Sequence, residues 1–317
     1  MRQPERTIPT IFTTLKAGFE FTTRHGWLVV LPFFLNTLLW IGPRVEVANL
    51  VLSTPGFDEQ LEIVAENQPE GSAELITSFI ERFNLVSLMS VPLVGVPSLY
   101  AGLIPDRVPV TPVVYQTTDW GTFWLNILLF IVVGAAISAL FYSLLTRLLA
   151  HDEIAWDDFG RSYLPTVLQL ILMLVLIVVG LFLLSIPLSL MAVISSLISP
   201  GIGVVILLMG SVLFMWTVIF VSFSLPTLLF HAVSPFRAIM DSIRFLQRHL
   251  TAALPLLVLI FLIRSVTNSL WLSADDGSWL TLFSIAGHAF IATALAASLF
   301  IFYRDRAVVT IANEVAQ

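Results

Sequence analysis

Apolar residues occur in long runs along this chain, separated by shorter polar stretches. A transmembrane helix needs about 20 mostly apolar residues, and six runs reach or approach that length. They predict six spanning helices, over residues 27–41, 122–150, 163–185, 202–230, 251–272 and 280–303. The third run continues to Ile198, and Pro187 is the natural place for its helix to break, because proline removes a helical hydrogen bond.

Composition supports the same conclusion. The chain is 57% hydrophobic and 11% charged, whereas a soluble domain carries about a quarter of charged residues. We therefore expect an all-α integral membrane protein with one membrane domain. The absence of cysteine excludes disulfides, thiolate nucleophiles and thiolate metal ligands. The net charge of −6 argues against a nucleic-acid partner, which requires a basic surface.

The basic residues near the ends of the predicted spans indicate an orientation. With six crossings, eleven of them fall on one side, which the positive-inside rule makes cytoplasmic. They are Arg2, Arg6, Lys16, Arg24, Arg147, Arg161, Arg237, Arg244, Arg248, Arg304 and Arg306. We therefore expect a multi-pass protein of the bacterial cytoplasmic membrane with both termini inside and residues 43–120 outside. Tryptophans and tyrosines near the span ends agree with this orientation.

Two segments at a constant spacing resemble each other. The segments FTTLKAGFEFTTRH, at residues 12–25, and FRAIMDSIRFLQRH, at residues 236–249, share Phe, Phe, Arg and His at matching positions. Apolar residues in each follow helical spacing with polar residues between them. This predicts amphipathic interfacial helices over residues 8–25 and 235–250, each leading into a span. Residues 154–161 are a candidate degenerate third copy, and chance similarity between amphipathic helices is the alternative explanation.

The outer segment, residues 43–120, changes character along its length. Residues 57–71 are acidic and polar, and residues 73–89 have the spacing of an amphipathic helix. Residues 88–105 are apolar but hold three prolines and two glycines, which argues against a spanning helix. Two interpretations stay open for them: a re-entrant plug over the bundle, or an apolar loop on the outer ends of the helices.

Arg264 lies near the middle of the fifth predicted span. Its insertion at that depth costs roughly 2.5–3.5 kcal/mol, so we expect it to face the bundle or water. No Asp or Glu lies inside any of the six spans, so its partner must be a neutral group or an anion. The candidate ligand-binding cluster consists of Arg264, Ser265, Asn268, Ser284 and His288. It predicts either a site for an anionic group, such as a lipid phosphate, or a hydrogen-bond network that locks two helices together.

The cytoplasmic segment HDEIAWDDFGR, residues 151–161, is a second candidate. Its members His151, Asp152, Glu153, Asp157, Asp158 and Arg161 are a candidate docking surface for a partner. A metal site is the alternative, but the acidic residues also suit the first turn of a helix, where the dipole favours anions. We predict no metal ion and no cofactor.

Sequence motifs of several enzyme classes are absent. The chain contains no P-loop, no HExxH and no GxSxG motif, and no glycine-rich dinucleotide fingerprint. An intramembrane enzyme would need His288 as a base, for which no nucleophile is evident. We therefore expect a protein that is not an enzyme.

The segment SLPTLLFHAVSPFRAIMDSIRFLQRHLTAALP, residues 224–255, resembles a broad group of bacterial multi-pass membrane proteins. That group includes the membrane domain attached to some glycerophosphoryl diester phosphodiesterases. The shared pattern is a proline-kinked helix, a short loop, an amphipathic helix ending in a basic residue, and another span. The resemblance implies a six-helix bundle and no assigned activity, and the insertion at residues 43–120 departs from it.

The main functional hypothesis is a non-enzymatic membrane protein that handles lipid-like or anionic amphiphilic molecules, or serves as an accessory subunit. Its expected partners are membrane lipids and, for the second role, another membrane subunit. The alternative is a permease subunit of an ATP-driven exporter, with residues 151–161 docking a separate ATPase.

Overall fold

The computed structural model describes residues 9–67, 71–91, 93–102, 104–105, 107–151, 155–273 and 276–315. The chain is 80% helical. The α-helices are α1 (Ile11–Arg24), α2 (Val30–Ile41), α3 (Ala48–Leu52), α4 (Phe57–Asn67), α5 (Ser72–Glu81), α6 (Trp120–His151), α7 (Trp156–Ile198), α8 (Pro200–Val221), α9 (Ser224–His231), α10 (Pro235–Leu272) and α11 (Thr281–Val315). The 3₁₀ turns are Gly26–Val29 and Leu85–Ser90, and the strands are β1 (Arg44–Glu46) and β2 (Val114–Gln116).

Five helical segments are long and apolar enough to cross a membrane. They are Trp120–His151, Trp156–Ser196, Gly201–His231, Pro235–Leu272 and Thr281–Ala307. The pair Ile11–Arg24 and Gly26–Ile41, bent by 90°, would be a sixth. These helices support the expectation of an all-α, membrane-type fold, to which β1 and β2 add one short pair of parallel strands.

The chain divides into two compact units. Unit 1 contains Met1–Phe21, Tyr142–Ile263 and Ala294–Gln317, and its core includes a cluster of aromatic rings. There the ring of Phe223 packs on Phe245, 5.0 Å between centroids, and on Phe302 at 5.7 Å. Unit 2 contains Thr22–Phe141 and Arg264–Thr293. Its most buried large side chain is Trp40, which packs edge-on against Trp279 with centroids 5.9 Å apart.

The predicted break at Pro187 was wrong. Pro187 lies inside α7, which continues as one helix to Ile198. Proline removes one helical hydrogen bond, whereas ending a helix in an apolar environment exposes several backbone groups without water to pair them. Continuing the helix is therefore the less costly solution in such a long apolar run.

The fourth predicted span, residues 202–230, is broken between α8 and α9. The break lies at Ser222 and Phe223, one turn before Pro226, where a proline ring clashes with the carbonyl of the residue four positions earlier. The Ser242 hydroxyl stabilises this break, because it donates to the Phe220 carbonyl (2.7 Å) and accepts from the Phe223 N–H (3.1 Å).

The two similar amphipathic segments share their backbone geometry. His25 (φ −112°, ψ 46°) and His249 (φ −121°, ψ 21°) both leave helical geometry at the same position of the pattern. The buried positions also correspond at a constant spacing: Thr14, Gly18 and Thr22 in α1, and Ala238, Ser242 and Leu246 in α10. The candidate third copy differs, because α7 runs through Arg161 with no such break.

The outer segment contains a shorter helix than predicted. Helix α5 ends at Glu81 instead of continuing to residue 89. Asn84 then redirects the chain, because its side-chain oxygen accepts from the N–H groups of Val45 in β1 (3.0 Å) and Val86 (3.1 Å). A distant strand therefore competes with continuation of the helix.

Candidate functional site

The side chain of Arg264 is exposed on α10. Of the two expected surroundings, the bundle and water, the exposed side chain excludes the bundle, and its neighbours Phe261 and Val266 are exposed as well. The guanidinium makes no hydrogen bond or ion pair to any residue that the structure describes. Arg264 lies eight residues before Leu272, the last residue of α10, which is about 12 Å along the helix. The guanidinium is therefore exposed at the start of a short polar stretch, residues 264–269, on a helix that is otherwise largely apolar.

His288 and Asn268 form a direct pair within unit 2. The Nδ1 of His288 lies 3.0 Å from the Oδ1 of Asn268, so Nδ1 carries the proton and donates it. The His288 side chain is only 2% exposed. Asn268 is half-buried and one helical turn from Arg264, so this pair lies beside the exposed cation.

Close packing surrounds the His288–Asn268 pair. A Cβ on Gly287 would lie 2.6 Å from the Trp271 ring, so only glycine lets α10 and α11 approach this closely. The Nε2 of His288 and the Nε1 of Trp271 are both buried without a hydrogen-bond partner among the described residues. Ser284 is buried and Ser265 half-buried, and neither hydroxyl bonds to His288 in this part of the chain.

The predicted cluster thus separates into two parts. The His288–Asn268 bond and the contact of Gly287 with Trp271 connect α10 to α11 within unit 2. Arg264 lies outside these contacts and is accessible. An anion can reach the guanidinium, but it cannot reach the buried Nε2 of His288 without rearrangement.

An internal tether in unit 2 was not identified from the sequence. Asn36, fully buried within α2, donates through Nδ2 to the carbonyls of Pro32 (2.7 Å) and Pro97 (3.5 Å). Its Oδ1 accepts from the Ser98 hydroxyl (3.0 Å) and the Leu99 N–H. An amide inside an apolar span was the available signal, because such a group needs a partner.

The irregular chain near this tether also contacts α6. A Cβ on Gly134 would lie 2.7 Å from the backbone of Met89. Gly134 is fourteen residues into α6, about 21 Å along the helix. Met89 therefore packs against the interior of α6, and residues 97–99 contact Asn36 in the interior of α2.

The turn before α11 is held by two aromatic side chains. Tyr100 donates to the Asp276 carboxylate (2.7 Å), and the Trp40 indole donates to the Asp276 carbonyl (3.0 Å). Burial, with the hydrogen bond to Asp276, raises the pKa of Tyr100 well above its ordinary value of 10.0. The phenol therefore stays protonated and keeps its role as a donor.

Two other charged groups of the outer segment have shifted pKa values. The hydroxyl and N–H of Thr122 donate to Asp119 and lower the pKa of its carboxyl, which caps the start of α6. Burial lowers the pKa of Arg44 in β1. Both shifts follow from local structure.

The cytoplasmic candidate is only partly described. Asp152 and Glu153 lie outside the described residues, while His151, Asp157, Asp158 and Arg161 are exposed. The nearby Arg147 holds the α6–α7 connection, because it donates to the Ser162 hydroxyl (2.8 Å) and lies 5.6 Å from the Phe159 ring centroid. Trp156 is exposed beside the two aspartates. Within the described ranges, no group of three or more His, Asp or Glu residues could hold a metal ion.

No protein-family model, curated protein or solved structure matches this chain.

Proposed function

We propose that this protein is a non-enzymatic membrane protein that holds the anionic group of an amphiphilic molecule at Arg264. The observation that carries the proposal is the exposed guanidinium on an apolar helix, with no partner among the described residues. A cation in that environment is costly and is stabilised by an anion, whose phosphate or carboxylate oxygens match the guanidinium fork. A membrane amphiphile brings that anion together with an apolar tail.

The proposed placement follows the distribution of charge. Both termini lie in the cytoplasm, residues 43–120 lie outside, and the bent first pair forms the sixth crossing. The 90° bend between α1 and the next helical segment supports an α1 in the membrane plane when α2 crosses. Arg264 then lies in the outer half of the bilayer.

In this placement, part of the apolar segment at residues 88–105 is re-entrant. The support is its set of contacts with Asn36 in α2 and Gly134 in α6. Irregular backbone at membrane depth must be buried in protein or line a cavity. Buried Val96 and Leu99 meet that condition.

Native mass spectrometry of the protein, purified in a mild detergent, tests the Arg264 site. We expect a retained anionic lipid or related amphiphile that is lost in Arg264→Leu, because the anion loses the guanidinium that pairs with it. Arg107→Leu is the matched control, since it removes the same charge from an exposed position in the outer segment. Equal retention by wild type and Arg264→Leu would overturn the proposal.

A second variant separates ligand binding from helix locking. Asn268→Ala should lower the melting temperature and leave lipid retention unchanged, since its partner His288 is buried away from the accessible surface. Loss of retention in Asn268→Ala with an unchanged melting temperature would contradict this division of roles.

The permease alternative has one supporting observation. The exposed Trp156, beside Asp157 and Asp158, offers an apolar and acidic surface to a cytoplasmic partner. A stoichiometric ATPase in the same spectra, lost in Trp156→Ser, would establish that role in place of lipid handling.

A further inference from the structure

The first segment of α10, residues 235–248, has three distinct faces. One face packs inside unit 1 and contains the buried Ala238, Ser242 and Leu246. The opposite side presents apolar residues, of which Phe236 is 64% exposed. The third face is cationic. A helix that only packed against protein would not need an exposed apolar face.

The cationic face is a compact stripe. At 100° per residue, Arg237, Arg244 and Arg248 fall within about 40° of one another on the helix circumference. The side chains of Arg237 and Arg244 are 71% and 67% exposed, and Arg248 is exposed too. They form the arginine stripe, which borders the apolar face.

One carboxylate lies within the stripe. Asp241 is 3.5 Å from the Arg237 guanidinium and 3.0 Å from that of Arg244. It holds Arg237 and Arg244 on the same side of the helix and offsets one of their two positive charges. The stripe therefore keeps a net positive charge with ordered guanidinium groups.

Helix α1 repeats the arrangement with fewer charges. Phe12 occupies the position of Phe236 and is exposed as well. Lys16 is paired with Glu20 at 3.5 Å, so only Arg24 corresponds to the stripe. The two copies thus share an exposed apolar face, and α10 alone has the strongly cationic border.

We propose that the arginine stripe of α10 gathers anionic phospholipid headgroups at the cytoplasmic surface of the membrane. Its geometry matches that surface: apolar side chains enter the acyl boundary, and the adjacent guanidinium groups meet phosphates at the same depth. His249 then leads the chain into the predicted span. The inference rests on the proposed membrane placement and is independent of the Arg264 site.

The cysteine-free chain allows a direct test. A fluorophore is attached to the full-length protein at Gln247→Cys, an exposed position beside the apolar face. The protein is placed in nanodiscs containing either phosphatidylglycerol or phosphatidylcholine with a nitroxide on the upper acyl chain. Quenching by each lipid, at equal mole fraction, measures its local concentration.

We expect phosphatidylglycerol to quench several-fold more strongly than phosphatidylcholine at low salt, with the difference reduced at high salt, which screens exposed charges. The double variant R237Q/R244Q should remove most of the difference. The matched control R107Q/R161Q, with the same change in net charge, should preserve it. Unchanged melting temperatures would show that both variants fold.

Three results would overturn the proposal. Equal quenching by the two lipids means that the stripe does not select anionic headgroups. If both double variants lose the difference in quenching equally, the net charge of the protein explains the selectivity and the stripe has no special role. Absence of quenching by either lipid means that the segment is away from the bilayer, in which case the membrane placement fails as well.

Discussion

Helix α11 and the α8–α9 segment are both apolar enough to cross a membrane, but they differ greatly in burial. The α8–α9 segment has the higher mean hydropathy, 2.7 against 2.0, yet 11% of its most apolar stretch is buried compared with 67% for α11. The buried residues of α11 include many small ones, among them Ala289, Ala294, Ala297 and Ser298, beside large rings such as Phe302. In an apolar solvent, close approach of backbones drives association more than hydropathy does. Burial here does not follow hydropathy.

The largest effect in this comparison should come from truncating a large buried ring. Phe302→Ala in α11 removes a fully buried side chain that packs on Phe223, and should lower the free energy of unfolding by about 3–5 kcal/mol. Leu208→Ala in α8, where the side chain is 61% exposed, should change it by less than about 0.5 kcal/mol. Thermal unfolding in one detergent measures both, and similar losses would refute the comparison.

Enlarging a small residue tests the role of side-chain size. Ala297→Leu, at a fully buried position of α11, should destabilise the fold by about 1–3 kcal/mol through overpacking. Ser211→Leu in α8, at an exposed position, should be close to neutral. Chemical unfolding of the two variants checks this, and a tolerated Ala297→Leu would show that α11 is not closely packed there.

The turn before α11 should give a smaller effect that depends on pH. Tyr100→Phe removes the hydrogen bond to Asp276 and should cost about 1.5 kcal/mol at neutral pH. Because folding raises the pKa of Tyr100, its contribution is complete below the ordinary pKa and declines as pH rises above it. Wild type should therefore lose its advantage over Tyr100→Phe above about pH 10. A constant difference between pH 7 and 11 would contradict the assigned protonation.

The smallest effect should come from the polar pair between α10 and α11. Asn268→Ala breaks the bond to His288 and should cost about 0.6 kcal/mol, the average for such bonds in membrane proteins. Thr217→Ala in α8, whose hydroxyl bonds only within its own helix, is the control. If Thr217→Ala lost more stability than Asn268→Ala, the bond between α10 and α11 would not be the more important polar interaction.

The sequence predicted features that depend on neighbouring residues. The apolar runs identified the long helices, because span length is a local property. The shared pattern before His25 and His249 anticipated two segments that each end in a backbone break. The similar distances of Arg264 and His288 from one turn placed Asn268 and His288 in the same predicted cluster, but the hydrogen bond between those two side chains was not itself predicted.

Other features depended on distant partners or competing energies. The contact of Asn36 with Pro97–Leu99 joins residues more than sixty positions apart, which no periodicity encodes. Helix α7 continues past Pro187 because ending the helix in apolar surroundings would leave backbone groups without hydrogen-bond partners, and the local sequence does not show this cost. The insertion cost of Arg264 predicted either the bundle or water as its surroundings, and it could not decide between the two.

The length of α7 has a mechanical consequence for the surrounding lipid. Its uninterrupted apolar part, residues 163–198, measures about 54 Å, whereas the hydrocarbon core is about 30 Å thick. Matching the two by inclination alone would require an angle of about 56°, beyond the usual range of 0–40°. In a bilayer, α7 therefore favours thickened lipid around it, so the hairpin of α7 and α8 should bias the protein toward the thicker regions of a heterogeneous membrane.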